Sequence, residues 1–389
     1  MSATCDTAAE KITSYLGFSC HHANPVITLR NPADLANWTL PVLEVTIIAG
    51  AIWALVHALR RYRAGDPTNL ALWFGSLVFL ATIEPPLYFP EWFGLQNAVG
   101  LVFAHNVFTV QFMYDRLPLY IVAFYPALSQ LAYEIVRSLG VFARRGAAAG
   151  AVCVALVYQV FYEIFDQLGP QLKWWAWNFD NPANHPLLDS VPLSSMWAFA
   201  TVSSGTLAYA AVKLVGTPTA NGRAPHGWPL LWRTLVVGVV AALSNVIGSI
   251  PTNLFGGKHP NVTAQAIVLT VELTAVWAVA AAILVQEWRR QHHEPGPDHD
   301  KTAFVLGYPI VYLAVLGGLW LVALPDFIST VHGTTTSGTP IGNAPYTLLC
   351  FATAISSVAA VRSNQRRDRR ASPVGSRHSA AGTTMDKDA

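Results

Sequence analysis

Four polar side chains inside one apolar run raise the first chemical question. Gln159, Glu163, Asp166 and Gln167 lie in segment 147–168, which is otherwise apolar enough to cross a bilayer. Positions 159, 163 and 166 follow i, i+4 and i+7 spacing, so their side chains share one face of a helix. Gly169-Pro170 follows at once, and then Trp174, Trp175 and Trp177. Acidic groups at membrane depth are costly and face a protein interior or a wet cavity. Two carboxyls one turn apart repel each other and lose solvation, so at least one is expected to keep its proton near neutrality. A neutral carboxylic acid walled by electron-rich rings suits protonation of an alkene. The rings and the carboxylate left behind would stabilise the resulting cation, and a second carboxylate would activate water to capture it. The expected substrate is a lipid with a reactive double bond, arriving from the bilayer.

The rest of the chain has to hold those groups in a membrane. Its 389 residues are 53% hydrophobic and only 12% charged, with a mean hydropathy of +0.37. A soluble domain carries roughly twice that charged fraction. The fold class expected is all-α, a polytopic bundle of about nine spans: 39–59, 68–88, 117–139, 147–168, 193–215, 230–250, 262–286, 302–324 and 345–361. Basic clusters test the count. Arg60, Arg61 and Arg63, Arg144 and Arg145, Arg223, Arg289 and Arg290, and Arg362, Arg366 and Arg367 all fall on one side of these spans. The other side holds only Lys11, Arg30, Lys173, Lys258 and Arg116. The positive-inside rule then places the N-terminus outside and the C-terminus in the cytoplasm of a multi-pass cell-membrane protein. Residues 1–37 read as an extracytoplasmic segment without signal-peptide character. Residues 38–361 form the membrane domain, and 362–389 a basic, disordered tail.

Segment 93–113 is apolar but carries Gln96, Asn97, His105, Asn106 and Gln111. Counting it as a span would move Arg144 and Arg145 outside, so it is read as a re-entrant or interfacial helix. With this topology most intramembrane polar groups gather in the outer half. Glu84 precedes Pro85-Pro86, Asp115 and Arg116 open the third span, and Glu163 and Asp166 close the fourth, with Asn245 in the outer part of the sixth. Tyr120, Tyr162, His105 and the three tryptophans complete the candidate lining.

Several of these residues have a plainer explanation. Asp115 before a Pro-started helix reads as an N-cap. Glu134 and Arg137 pair at i, i+3, and Glu44 and Glu91 reach interfacial water. His105 is a satisfied core histidine, and the tryptophans form an aromatic belt.

A net charge of +2, with basic residues scattered over loop ends, argues against a nucleic-acid partner. No metal or cofactor is expected; the histidines of 292–299 read as a solvated linker. Of the four cysteines, Cys5 and Cys20 can pair in an oxidising compartment, while Cys153 and Cys350 read as small buried hydrophobes.

Over residues 80–210 the chain resembles the carotenoid-biosynthesis membrane proteins that include the carotenoid 1,2-hydratases. That family has an acidic helix end reading D-x-x-D-P, then W-x-W, then G/S-V-P-x-x-N before another span. The corresponding residues here are Glu163-Ile-Phe-Asp166, Trp175-Ala176-Trp177 and Ser190-Val191-Pro192-Leu193-Ser194-Ser195. Upstream, Glu84, the aromatic stretch to Tyr114, and the proline-led run from Pro118 to Pro126 echo the family's intramembrane glutamate and following span. The family's Asn-Phe-x-Gly-Trp stands here as Ser195-Met196-Trp197-Ala198-Phe199, its Gly-x-Tyr-x-Tyr element is absent, and this chain has extra C-terminal spans. The resemblance implies cofactor-independent addition of water to a polyprenoid double bond, with Asp166 as proton donor and Glu163 as its partner. A proton-coupled lipid or small-molecule transporter, or a non-catalytic membrane subunit, are the other expectations. The sequence does not specify an oligomeric state.

Overall fold

A computed structural model describes residues 5–257, 259–293 and 302–371. Among these, nine helices are long and apolar enough to cross a membrane, so the chain is a multi-pass, all-helical membrane protein. A short helix, α1 (Thr7–Leu16), comes first. The spanning helices are α2 (Thr39–Arg63), α3 (Thr68–Tyr88), α4 (Leu119–Ser138), α5 (Val141–Asp166), α6 (Leu193–Ala220), α7 (Trp228–Asn253), α8 (Val262–His293), α9 (Ala303–Ile328) and α10 (Ala344–Ala371). Helices α4 and α5 form the centre: 89% and 78% of their apolar windows are buried, against 17% for α8 on the rim.

Two of the spanning helices are irregular. Helix α5 breaks at Gly146, whose φ of 79° and ψ of −175° suit a residue without a Cβ. The short piece before the break is tied to α8 by Arg144 and Arg145, 2.8 and 2.5 Å from the Glu287 carboxylate. Helix α6 winds as π-helix over Met196–Ser203 and again over Val212–Gly216, a form often found at functional sites.

Segment 93–113 is not a helix. It contains two strands, β2 (Phe103–His105) and β3 (Val110–Phe112). With β1 (Ile27–Leu29), β4 (Leu117–Pro118) and β5 (Trp175–Trp177), these build a cap over one end of the bundle. Strand β3 pairs with β1 and β4, and β2 pairs antiparallel with β5. Two polar residues of the expected re-entrant or interfacial helix, Asn106 and Gln111, instead satisfy the backbone of this irregular chain. Gln111 Nε2 donates to the carbonyls of Asn106 and Asp115 at 2.9 and 3.0 Å, and Asn106 Nδ2 donates to that of Lys173 at 2.6 Å. Cys5 and Cys20 form a disulfide, and α1 packs with Leu101, Ala104 and Ala176 on the cap.

At the other end of the bundle, Glu134 is fully buried and paired as expected. Arg137 Nε and Nη2 lie 2.9 and 2.8 Å from its oxygens, Asn69 Nδ2 lies at 2.9 Å and His57 Nε2 at 3.4 Å. Cys153 and Cys350 are free and buried. The helix of α10 continues to Ala371, so the basic segment expected to be disordered begins as helix; 372–389 lie outside the described residues. Most of the 292–299 histidine segment also lies outside them.

Candidate functional site: an aromatic chamber under the cap

Four helices, α3, α4, α5 and, through Phe199, α6, meet the β2–β5 strand pair of the cap around one cavity. Helix α5 presents Tyr158, Tyr162, Phe165 and Asp166 to a single cavity, at i, i+4, i+7 and i+8 along one face. Helix α4 adds Ile121, Phe124 and Tyr125, and α3 adds Phe79 and Glu84. Successive strand side chains point to opposite faces, so β2 turns Phe103 and His105 inward together, and β5 does the same with Trp175 and Trp177. Their register sets Phe103 opposite Trp177 and His105 opposite Trp175. The cavity measures about 50 Å³, room for a few water-sized groups. Its lining residues are buried except Tyr162 and Phe199, which are half-buried.

The walls are rings in close contact. Phe165 lies 4.7 Å from Trp175 and 4.6 Å from Phe124, centroid to centroid, and Phe103 meets Trp177 edge-on at 5.3 Å. The polar groups are few. Tyr125 Oη donates to Glu84 Oε1, and the Tyr88 hydroxyl adjoins the same carboxyl. Asp166 Oδ2 has no hydrogen-bond partner among the described residues. The ion pairs among those residues leave out Glu84, Glu163 and Asp166. Burial pushes the His105 imidazole down to about 3, so it is neutral. Tyr120 Oη lies 3.0 Å from its Nδ1. The Tyr120 hydroxyl has no other acceptor among the described residues, so its hydrogen is assigned to that bond, which leaves the imidazole proton on Nε2.

Of the expected site residues, Glu84, His105, Tyr162, Asp166, Trp175 and Trp177 line the chamber. The others do not. Glu163 is buried one turn from Asp166 but faces the α10 side, where Gln167 Nε2 donates to its Oε2 at 3.2 Å and Tyr346 lies nearby. Gln159 of the same stripe bonds Tyr346, Thr201 and Trp277. Trp174 is fully buried behind the wall, its indole N–H donating to Thr39 Oγ1 at 3.0 Å. Tyr120 supports His105 from outside the lining. Asn245 accepts from Ser203 Oγ at 2.5 Å between α6 and α7.

Asp115 does not cap α4, because Pro118 holds that position. It instead receives Arg30 Nη2 at 2.7 Å and Thr28 Oγ1 at 2.6 Å, which ties β1 to the cap. Arg116 is buried near Tyr88, and burial lowers its guanidinium below the usual range. Glu44 is buried rather than interfacial, accepting from Thr109 N at 3.1 Å and Oγ1 at 2.7 Å. The tryptophans are buried walls, not an aromatic belt.

Sequence reading missed the aromatic lining residues Phe79, Phe103, Phe124, Tyr125, Tyr158, Phe165 and Phe199. Each is a single aromatic on an apolar segment, and spacing does not distinguish it from ordinary core. Among the described residues no three His, Cys, Asp or Glu side chains converge as a metal site. Comparison with protein-family models, curated proteins and solved structures finds no match.

Proposed function

We propose that this membrane protein is an enzyme that hydrates or isomerises a double bond in an isoprenoid or carotenoid-type lipid. The observation behind this reading is that Asp166 and Glu84 line one aromatic chamber and neither is paired with a cation. A carboxyl buried without a counter-ion favours its neutral form, so Asp166 can give its proton to the less substituted alkene carbon. The tertiary cation left on the neighbouring carbon meets the faces of Trp175, Trp177, Phe165 and Tyr162. Water then adds its oxygen to the cation while Glu84 takes the released proton. Return of that proton to Asp166 closes the cycle, and the net change is alkene plus water to tertiary alcohol. Loss of a neighbouring C–H proton to Glu84 instead would give the isomer. The branched end of a chain would enter the chamber by pushing its ring walls apart, with the remainder passing Tyr162 and Phe199 into the bilayer.

The test is lipid profiling of a host that makes acyclic polyprenoids, with and without the protein. A product heavier by one water, absent with Asp166→Asn at equal expression, supports the reading. An unchanged lipid profile ends it.

One feature favours the transport alternative. Exposed Asp189 accepts from Asn343 Nδ2 at 2.8 Å, Asn343 N donates to Gln167 Oε1 at 2.8 Å, and Gln167 leads to Glu163. Such a polar line from surface to interior suits proton movement. Uptake by proteoliposomes that depends on pH and is lost with Glu163→Gln would support transport.

A further inference from the structure

A second cavity lies on the cap, lined by Lys11, Tyr15, Asn178, Phe179, Asp180 and Thr334 among others. It measures about 310 Å³, far larger than the chamber beneath, and is bordered by the Lys11–Asp180 ion pair. Trp177 is the one residue that lines both cavities. Its side chain is 6% exposed, and its indole N–H is buried without a hydrogen-bond acceptor among the described residues. A buried donor of this kind costs free energy unless something polar visits it. The two cavities differ in character. The outer one is edged by charged and amide groups, while the inner one is walled by rings, of which Tyr162 and Phe199 are half-buried.

We propose that the outer cavity is the port through which water and water-sized polar solutes reach the chamber, and that the Trp177 indole is the partition between them. Lipid and water would then arrive by separate routes, one lateral and one through the cap. The indole is held by the β2–β5 ladder and by its edge contact with Phe103. Passage therefore requires a transient tilt of one ring rather than unfolding of the cap. This claim concerns access alone and stands whether or not the chamber hydrates an alkene.

The test uses silver ion, a water-sized thiol reagent, on protein in which Cys153 and Cys350 are replaced by alanine. Thr334→Cys reports the outer cavity and Ile121→Cys the chamber. Thr334→Cys is expected to react quickly and Ile121→Cys slowly. Adding Trp177→Ala should speed the Ile121→Cys reaction by roughly 10-fold or more, since a displaced ring is a minor state of at most ~10%. Phe199→Ala, which widens the lateral side, should leave that rate nearly unchanged. If Trp177→Ala does not fold, Trp177→Phe is the replacement and should give a smaller acceleration in the same direction. An Ile121→Cys rate indifferent to both Trp177 substitutions overturns the proposal, as does equal acceleration by Phe199→Ala.

Discussion

The Tyr120 hydroxyl lies 3.0 Å from His105 Nδ1, at the junction of α4 and the cap. The bond fixes the ring of the one histidine in the chamber wall and keeps the protonated nitrogen, Nε2, free of protein acceptors among the described residues. Helix and cap are thereby held in one orientation by a neutral pair.

His105 should make the fold acid-sensitive. Its ordinary value of 6.5 is lowered to about 3 by burial, so between those limits the unfolded chain binds a proton that the native state refuses. Stability is fully present above 6.5 and is lost as pH falls below it, by up to about 1.4 kcal/mol per pH unit. Thermal melts between pH 7 and about 4.5 should show this slope, and His105→Gln should flatten it. Identical slopes would show that His105 does not set the acid limit.

Activity should depend on the two chamber carboxyls separately. Asp166→Asn and Glu84→Gln should each lower product formation by about a hundredfold or more, with little change in detergent stability. Glu163→Gln, lying outside the chamber, should have the smaller effect. A larger loss from Glu163→Gln than from Asp166→Asn would reverse these roles.

Glu134 carries the opposite, purely structural expectation. Glu134→Ala removes the carboxylate facing buried Arg137 and His57, and should cost about 3–5 kcal/mol. Glu134→Gln retains an acceptor for Asn69 and should cost less. Differential scanning of the purified variants decides the order.

Gly342 tests how tightly the loop before α10 grips the end of α5. A Cβ there would overlap the Gln167 backbone oxygen and side chain. Gly342→Ala should therefore destabilise by about 1–3 kcal/mol and release the Asn343–Gln167 bond, which amide exchange at Asn343 would report.

Orientation can be read by impermeant thiol labelling. Cysteines at Ala183 and Gly333 should react from outside the cell, and those at Gly65 and Ala220 only after permeabilisation. The reverse pattern would place the cap in the cytoplasm.

The nine spans were legible because length and apolar content are properties of each segment alone. Even the start of the fourth near 147 coincides with the Gly146 break. The cap was not legible. Residues 103–105 and 175–177 are short, and what makes them strands is each other, across a separation that periodicity does not sense. The acid stripe was half legible. Glu163 and Asp166 share a helix face, but that face straddles two neighbours, so one acid meets the chamber and the other meets α10. Helical spacing gives a direction and leaves the neighbour undefined.

The back of the β2–β5 ladder carries a consequence for assembly order. Ala104 and Ala176 lie there against α1 and the Cys5–Cys20 hairpin, while their neighbours face the chamber. The seat for residues 5–20 is thus completed only when residue 176 has been synthesised. The Cys5–Cys20 segment therefore settles after both strands are in place, and it closes the cap from behind.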